Sequence, residues 1–443
     1  MQRTLATQLP TRVGEKVRIA GWVHRRRLLK SVAFLIVRDA SGLAQVVVSA
    51  PARLASRPSS QPDLRAEIEA LTEESVVEVT GTVIANETAP AGVEVTEAAL
   101  TVLSLAEPPP FDLYRPTLTA TLPTLLDHAD VALRHPARQA AFRMSAAAVH
   151  GFRSTLDSAG FVEVHTPKMV GSVTEGGANV FALDYFGRPA YLAQSPQFYK
   201  QTLVGVFERV YEVGPAFRAE PHDTVRHIAE FTSLDAEMGF IRDQRDVMVV
   251  LRDVIAGMLA AVGEREPAAV AASGLELPQV PGEIPILHFA EALEMISSDI
   301  GEDLSGEPDL APAHERWLGE WALREHGSDF LYVEGYPTAK RAFYTHPDPD
   351  RPPYSRGFDL LFRGLELVSG SQRLHRAEDY ERVIAARGES FEPYRTYVDA
   401  FRHGMPPHGG FAIGLERFMM RLLGVSNVRE VTLFPRDLHR LSP

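Results

Sequence analysis

The chain has 443 residues, of which 45% are hydrophobic and 23% are charged, so it is long enough for two or three domains and too ordinary in composition to be disordered or collagen-like. It contains no cysteine, which excludes disulfide frameworks, thiolate metal sites and cysteine nucleophiles. No apolar run approaches the length of a membrane span, and the N-terminus lacks the apolar core of a signal peptide. We therefore expect a cytoplasmic protein without a membrane partner.

Charge is distributed unevenly along the chain. The formal net charge is −13, yet the first thirty residues contain eight lysines and arginines against one glutamate. A basic segment in an acidic protein indicates a local surface for nucleic acid. A basic strand end that is merely solvated is the alternative that this observation leaves open.

The first hundred residues contain five β-rich runs: KVRIAGWV, VAFLIVRD, LAQVVVSA, SVVEVTGTVIA and VEVTEAALTVLS. Five short strands predict a small closed barrel. The polar stretch 53–72 predicts a helix between the third and fourth strands, which is where an oligonucleotide-binding (OB) fold has one. The proline-rich segment AEPPPFD, at 106–112, predicts the domain boundary.

The rest of the chain predicts an α+β domain. A helix is expected over 137–158, closed by Gly160, and the later β-rich stretches FERVYEVGPAFRAE, AEFTSLDAEMGF and FDLLFRGLELVSGSQR are typical of antiparallel neighbours. We expect an OB-fold domain at 1–105, a linker at 106–136 and a catalytic domain at 137–443, with an antiparallel sheet flanked by helices.

The segment FRAEPHDTVRHIAEF, at 217–231, places cations around a turn between two β-rich runs. Arg218, Arg226 and His227 would face a polyphosphate, because guanidinium groups match phosphate oxygens. Glu220 is suited to accept from the amino group of a base, and Phe231 to stack on its ring. Charges at a hairpin tip that only meet solvent remain an alternative.

The segment GGFAIGLERFMMRLL runs from a glycine-rich strand, Gly409 to Gly414, into an apolar-periodic helix. Glycines allow close backbone approach to a ligand, and Arg417 in the first helical turn would reach a second phosphate. The spacing matches neither a dinucleotide fold nor a Walker loop. A glycine-relieved turn in the core would explain the same residues.

The run GLELVSGSQR supplies Glu366, Ser369 and Arg373. Glu366 is a suitable magnesium ligand, since this cation prefers carboxylate and phosphate oxygens. On a regular strand Glu366 and Ser369 lie on opposite faces, so we expect them to share a ligand only if the strand bends or ends near Gly370. Otherwise Glu366 would need a salt-bridge partner in the sheet.

Two further segments are candidates. TEGGANVF, at 174–181, has Glu175 beside paired glycines, the composition of a lid over a small ligand. AQSPQFYKQ, at 193–201, offers Gln194, Ser195, Gln197 and Lys200. Either segment alone is equally consistent with a surface turn.

Taken together and in this order, these segments resemble the class II aminoacyl-tRNA synthetases, and within them the aspartyl-tRNA synthetases of archaeal type. Motif 1 of the class resembles the segment ending GFVEVHTPKM, with Pro167 at a dimer interface. Motif 2 resembles FERVYEVGPAFRAE with RHIAEFTSLDAEM, and motif 3 resembles GGFAIGLER. The resemblance covers essentially the whole chain, although only about 125 residues separate motif 2 from Glu366, too few for the insertion of the bacterial-type enzymes.

The resemblance implies a role for each candidate. The catalytic residues would be Arg218, Arg417 and Glu366. ATP would be bound by Arg218, Glu220, Arg226, His227, Ile228, Phe231, Glu366, Gly414, Leu415, Glu416 and Arg417. Aspartate would be bound by Glu175, Gln197, Lys200, Arg218, Asp235, Ser369 and Arg373. Magnesium would be held by Glu366 and Ser369. No side chain need act as a nucleophile, because the substrate carboxylate attacks the α-phosphorus.

The choice of aspartate over asparagine depends on Lys200, because the asparaginyl relatives keep the arginine at Arg373 but lack this lysine. A buried lysine that faces a neutral amide would be an unpaired charge costing several kcal/mol, so Lys200 favours aspartate. Lysyl-tRNA synthetases would need acidic groups at these positions.

The resemblance also gives the N-terminal domain a role in reading the anticodon. Phe34 would stack on a base, Gln45 and Glu94 would bond the central uridine, and Arg25 would meet the backbone. Phe34 in the barrel core is the alternative.

Two positions bear on tRNA choice. Synthetases of this type that are restricted to aspartate tRNA tend to have Trp and Lys at these positions, whereas relaxed ones tend to have His and Pro. The positions match His24 and Pro90 in this chain, and we expect both residues in loops. The pair favours an enzyme that also charges asparagine tRNA.

We therefore expect a homodimeric, magnesium-dependent ligase that charges tRNA(Asp) and tRNA(Asn) with L-aspartate from ATP, functionally linked to an amidotransferase that repairs the mischarged product. The alternatives are an enzyme restricted to tRNA(Asp), a paralogue that forms free asparagine, and an RNA-binding regulator that charges nothing. The OB segment argues against the paralogue that forms free asparagine, and the catalytic residues argue against the RNA-binding regulator.

Overall fold

The computed structural model describes residues 1–49, 64–171, 179–221 and 223–442, in two compact units, Met1–His135 and Pro136–Pro443. The first unit contains a closed five-stranded barrel with the strand order β1-β2-β3-β5-β4. Its strands are β1 (Lys16–Leu28), β2 (Val32–Arg38), β3 (Leu43–Ser49), β4 (Val76–Ala85) and β5 (Val93–Ser104). Helix α1 (Leu64–Ala70) lies between β3 and β4, so the predicted OB-type barrel is confirmed. Two 3-10 turns also belong to this unit: Ala6–Arg12 precedes β1, and Pro90–Gly92 lies between β4 and β5.

The barrel closes because apolar residues occupy alternate positions of its strands and share one core. On β1 and β2 these residues are Val17, Ile19, Val23, Ala33, Leu35 and Val37. Strand β1 extends five residues beyond the predicted run. Val23 is opposite Val37 and Arg25 is opposite Ile36, so His24 is the extra residue of a β-bulge. The three arginines at 25–27 continue to pair with β2.

The segment predicted as a linker contains two short helices, α2 (Leu122–Asp127) and α3 (Ala129–Ala132). The helices of the second unit are α4 (Pro136–Ser158), α5 (Gln197–Phe207), α6 (Gln244–Arg265), α7 (Pro267–Ala272), α8 (Phe289–Ile300), α9 (Pro312–His326), α10 (Ala377–Ala386), α11 (Arg395–Arg402) and α12 (Leu415–Leu423). Short 3-10 turns lie at Thr338–Lys340, Glu392–Tyr394 and Val428–Val431. The helix predicted to end before Gly160 is α4, and Gly160 has the left-handed φ of +78°.

The second unit is built on an eight-stranded sheet with the order β12-β13-β14-β15-β16-β11-β10-β6. These strands are β6 (Val162–Glu163), β10 (Arg209–Phe217), β11 (Glu230–Gly239), β12 (Ile286–His288), β13 (Phe330–Glu334), β14 (Gly357–Phe362), β15 (Glu366–Gln372) and β16 (His408–Gly414). A smaller sheet contains β7 (Met169–Val170), β9 (Arg188–Leu192) and β8 (Ala182–Tyr185). The six strands from β13 to β10 are antiparallel, as predicted, and only the outermost pairs are parallel.

Strand β11 shows how the sheet separates core from site. Leu234, Ala236 and Met238 belong to the core that the sheet shares with α4, α6 and α12. The residues between them therefore point to the other face, where the pocket lies. Helices α4 and α6 approach each other closely at Gly151, since a Cβ there would lie 2.4 Å from the Gly257 carbonyl oxygen. The absence of a side chain at Gly151 permits this approach.

Candidate active site

A pocket of about 360 Å³ lies over the antiparallel strands of the second unit. Among the predicted residues, it is lined by Gln194, Ser195, Gln197, Lys200, Arg218, Glu220, Arg226, His227, Ile228, Phe231, Asp235, Glu366, Ser369, Arg373, Gly414, Glu416 and Arg417. Segments that are more than two hundred residues apart in the chain thus meet in one cavity. Glu175 lies outside the described residues.

One end of the pocket is formed by the β10–β11 hairpin. Strands β10 and β11 pair from Arg209 opposite Met238 to Phe217 opposite Glu230, so the residues after Phe217 emerge at the pocket. The Arg218 guanidinium carbon lies 5.3 Å from the centre of the Phe231 ring. This pair presents a cation beside an aromatic face, an arrangement suited to a nucleotide.

The pocket also borders a buried network of two cations and two carboxylates, of which Lys200, Arg373 and Asp235 line the cavity. Lys200 Nζ donates to Asp235 Oδ1 at 2.9 Å and lies 3.4 Å from Glu237 Oε2. Arg373 Nε donates to Glu237 Oε1 at 2.9 Å. Ser233 Oγ donates to the other oxygen of Asp235. The lysine is 2% exposed, so these partners stabilise its charge.

This network corrects the physical argument made for aspartate from the sequence. We expected Lys200 to be unpaired unless the substrate were acidic, but Asp235 and Glu237 already neutralise it. Asp235, expected to bind the substrate ammonium, also holds the lysine in place. A substrate carboxylate would therefore join an existing network and share the Lys200 and Arg373 donors with it.

Glu237 was missed by the sequence analysis, although the signal was available. It follows Ser233 and Asp235 at the period of two that places alternate residues on one face of a strand. Burial opposes the ionisation of this fully buried carboxyl, but the charges of Arg373 and Lys200 prevail and lower its pKa. A Cβ at Gly410 would lie 2.2 Å from Glu237 Oε2, so this glycine makes room for the carboxylate.

Glu366 and Ser369 both line the pocket because β15 contains a bulge. Leu360 of β14 is opposite Val368 and Leu361 is opposite Glu366, which leaves Leu367 as the extra residue. The predicted bend thus exists, but it lies before Ser369 and not near Gly370. One extra residue changes the alternation, so that two side chains three positions apart share a face.

Glu366 is influenced by carboxylates, Asp359 and Glu315, and by arginines, Arg341 and Arg417. Burial, followed by the charge of Asp359, raises the pKa of Glu366 to about 7. Asp359 accepts two hydrogen bonds from Arg341, at 3.0 and 2.8 Å, and Arg341 also donates to Ser369 Oγ at 2.9 Å. Sequence analysis missed Arg341, because it lies in a loop outside the three motifs.

The residues present fit a divalent cation. The raised pKa of Glu366 means that nearby positive charge is insufficient to stabilise its ionised form, and a cation would supply that charge. In the described part of the chain, no group of three or more His, Asp or Glu side chains is arranged to hold a metal. Magnesium commonly binds through one or two carboxylates together with phosphates and water, so Glu366 and Ser369 suffice on the protein side.

Motif 3 is divided between the pocket and the core. Gly414 ends β16 and faces the cavity with Arg417, whereas the Leu415 side chain belongs to the core and is only 7% exposed. Of the predicted ATP-site residues, Leu415 is thus the one whose side chain the structure places elsewhere. Glu416 accepts from the backbone N–H of Thr232 at 3.0 Å, and burial raises its pKa. Glu416 therefore anchors α12 to β11.

Two residues of the glycine-rich strand, Gly409 and Gly410, lie away from the pocket, unlike Gly414. A Cβ at Gly409 would lie 2.6 Å from the Ser371 carbonyl oxygen, and one at Gly410 would lie 2.1 Å from that of Ala236. These glycines permit close approach to neighbouring strands and not to a ligand.

In the first unit, the predicted anticodon residues Arg25, Phe34 and Gln45 are exposed or half-buried, whereas Glu94 is only 8% exposed. Phe34 is half-buried and absent from the barrel core, with Arg27 6.0 Å from its ring, so the core alternative is wrong. Gln45 Nε2 donates to Glu94 Oε2 at 3.0 Å, and Asn86 donates to the same oxygen at 2.7 Å. Arg25 lies 4.2 Å over the ring of Tyr114.

The two residues predicted to bear on tRNA choice differ in exposure. Pro90 is half-buried and begins the turn before β5, whereas His24 lies within β1 and not in a loop. The His24 ring is 7% exposed, and its Nδ1 lies 3.4 Å from Arg38 Nη1. Burial, with the charge of Arg38, lowers the pKa of His24 to about 4. Any influence of His24 on RNA is therefore transmitted through its neighbours.

The fold and the pocket together define a class of enzyme. A family model described as tRNA synthetases class II (D, K and N) matches residues 122–438, and a model of the OB-fold nucleic acid binding domain matches residues 17–103. The chain belongs to the class II tRNA synthetases, and it is an ATP-dependent ligase with an anticodon-binding domain.

Within this family, the similarity extends along the full chain. It is 43% identical over 442 residues to the aspartate–tRNA(Asp/Asn) ligase of Thermus thermophilus, covering 100% of both chains. It is 42% identical to the enzyme of that name from Methanopyrus kandleri, covering 98% and 97%. Among solved structures, the asparaginyl-tRNA synthetase of Pyrococcus horikoshii complexed with asparaginyl-adenylate has a TM-score of 0.92 at 30% identity, with complete coverage of both chains. The aspartyl tRNA synthetase of Entamoeba histolytica has a TM-score of 0.88 at 31% identity, covering 100% of this chain and 93% of that one.

Over the described residues, none of the helices is both long and apolar enough to cross a membrane.

Proposed function

We propose that the protein is an aspartate–tRNA ligase that charges tRNA(Asp) and tRNA(Asn). The observation that carries this proposal is the pocket, in which Arg218 and Arg417 lie with Glu366, together with the buried cations Lys200 and Arg373. Full-length similarity to enzymes named aspartate–tRNA(Asp/Asn) ligase supports the choice of amino acid and of both tRNAs.

The first step forms aspartyl-adenylate. An α-carboxylate oxygen of aspartate attacks the α-phosphorus of ATP, the bond to the bridging oxygen breaks, and diphosphate leaves. Arg218 would contact both the α-phosphate and the attacking carboxylate, which places the reacting atoms in line and neutralises developing charge. Glu220 and Phe231 would bind adenine, while Arg226, His227 and Arg417 would bind the outer phosphates.

Glu366 and Ser369 would hold magnesium on the phosphate side of the pocket. When bound, the ion supplies charge neutralisation to the phosphate oxygens. At the other side, Lys200 and Arg373 would bind the β-carboxylate of aspartate, with Gln197 beside them.

The second step transfers the aminoacyl group. The 3′-hydroxyl of the terminal ribose attacks the adenylate carbonyl, AMP leaves, and an ester to tRNA forms. The outer surface of the barrel, with Phe34, Gln45 and Glu94, would read the anticodon, and His24 and Pro90 would permit both tRNAs.

We further propose that the enzyme is a homodimer that acts in the cytoplasm. Aspartate on tRNA(Asn) is useful in protein synthesis only after conversion to asparagine. An amidotransferase that amidates this product is therefore its functional partner.

The test of the chemistry is ATP–diphosphate exchange with each amino acid, in the presence of magnesium. We expect exchange with aspartate and none above background with asparagine. Exchange that depended on asparagine alone would contradict the proposal and would favour the substrate named for the Pyrococcus horikoshii enzyme.

A further inference from the structure

Glu315 lies on α9, in a segment to which the sequence analysis assigned no role. Its side chain is only 8% exposed. The oxygen Oε2 accepts a hydrogen bond from the backbone N–H of Glu366 at 3.1 Å and lies 3.5 Å from Arg226 Nη1. One carboxylate oxygen therefore connects three elements: α9, the β10–β11 loop and the start of β15.

Both partners belong to the phosphate side of the pocket, whereas Glu315 itself does not line the cavity. A buried carboxylate is stable only when it has hydrogen-bonding or charged partners. The partners of Glu315 could have lain anywhere along α9. Here the anchor joins the arginine expected on the outer phosphates to the backbone of the expected metal ligand.

We propose that Glu315 is a positioning residue, which holds Arg226 in the orientation required by the β- and γ-phosphates of ATP. This inference rests on the proposed function. Arg226 is 28% exposed on a connecting loop, and a long side chain there has many conformations in the absence of a partner. Because the ion pair restricts it before ATP arrives, less conformational entropy is lost on binding.

The geometry favours positioning over competition with the phosphates. The Glu315 carboxylate is fixed to the Glu366 backbone, so it cannot follow Arg226 to another position. The ion pair involves one terminal nitrogen of Arg226, and a guanidinium has five N–H donors in a planar fork. The other donors remain available to phosphate oxygens.

The test compares Glu315→Gln with Glu320→Gln, a change at an exposed position of the same helix. Glutamine can still accept from the Glu366 N–H but lacks the charge that attracts Arg226. In ATP–diphosphate exchange, we expect the KM for ATP to rise about five- to tenfold for Glu315→Gln, with little change in kcat or in the KM for aspartate. Glu320→Gln should match the wild type. Glu315→Asp, which shortens the side chain, should give an intermediate rise.

A double-mutant cycle separates positioning from a merely structural role. In an Arg226→Ala background, Glu315→Gln should raise the KM for ATP no further, because its effect acts through Arg226. Independent, multiplying effects would overturn the proposal, as would an unchanged KM for ATP in both Glu315 variants. Absence of aspartate-dependent exchange in the wild type would instead refute the proposed function.

Discussion

The pocket and the outer surface of the barrel both present polar side chains, but they differ in how these are held. In the pocket, Lys200 and Glu237 are at most 2% exposed and are paired within a network. On the barrel, Phe34 is half-buried, and the half-buried Gln45 donates to Glu94 across the strands. Buried charges are costly unless they are paired, so substitutions in the pocket should alter chemistry strongly. Substitutions on the barrel surface should alter RNA binding alone.

The largest effect is expected at Arg218. Arg218→Ala removes the cation that would contact the reacting phosphate and carboxylate, so aspartate-dependent ATP–diphosphate exchange should fall by about a thousandfold. Arg242→Ala is the control, because Arg242 is 87% exposed and pairs with Asp246 away from the pocket. Equal activities of the two variants would remove Arg218 from the catalytic residues.

The next effect concerns Lys200. Lys200→Leu leaves Asp235 and Glu237 with less positive charge and removes a donor to the β-carboxylate, so kcat/KM for aspartate should fall by about a hundredfold. Lys168→Leu is the matched control, since Lys168 pairs with the buried Glu212 but does not line the pocket. Unchanged aspartate activation in Lys200→Leu would show that the lysine is misassigned.

The third prediction concerns pH and Glu366. Its pKa in the folded protein, about 7, lies above the usual value of 4.5, so the folded state holds this proton more tightly than the unfolded state. The corresponding stability is complete below about pH 4.5 and is lost as the pH rises through 7. Without magnesium, the free energy of unfolding of the wild type should fall by roughly 2 kcal/mol more between pH 5 and pH 8 than that of Glu366→Gln.

Urea unfolding at the two pH values measures this difference. Glu264→Gln, a change at an exposed site, should behave like the wild type. If Glu366→Gln and the wild type show parallel pH dependence, the carboxyl is not strained in the ligand-free protein and the argument for a cation there fails.

The smallest effect is expected on the barrel. Phe34→Ala removes a stacking surface, so kcat/KM for tRNA should fall about tenfold while ATP–diphosphate exchange without tRNA stays unchanged. Val102→Ala, at a partly exposed position of β5, is the control. Loss of exchange in Phe34→Ala would show that the barrel surface also affects the chemistry of the pocket.

Strand alternation predicted the barrel and the antiparallel sheet, which depend on local period and residue type that a sequence displays directly. Arg218, Phe231 and Arg417 were assigned to one site by the family resemblance, and all three line the pocket. The bulge at Leu367 was not predicted in place, because register depends on the pairing of two strands.

Residues outside motifs were missed for a related reason. Arg341 reaches Ser369, and Glu315 reaches Glu366, only through tertiary contacts from a loop and a helix that carry no recognisable spacing. Lys200 and Asp235 were both predicted, but neither their ion pair nor the second partner, Glu237, was, so the reason given for aspartate needed correction. Ion pairs and hydrogen bonds between residues that are far apart in the chain are the contacts that are hardest to predict from a single sequence.

Dual charging is tested most directly by incubating separately purified tRNA(Asp) and tRNA(Asn) with labelled aspartate, ATP and magnesium at one enzyme concentration. We expect both tRNAs to be labelled at comparable rates. Labelling of tRNA(Asp) alone would contradict dual charging and remove His24 and Pro90 as its determinants, and labelling of neither would contradict the proposed function as a whole.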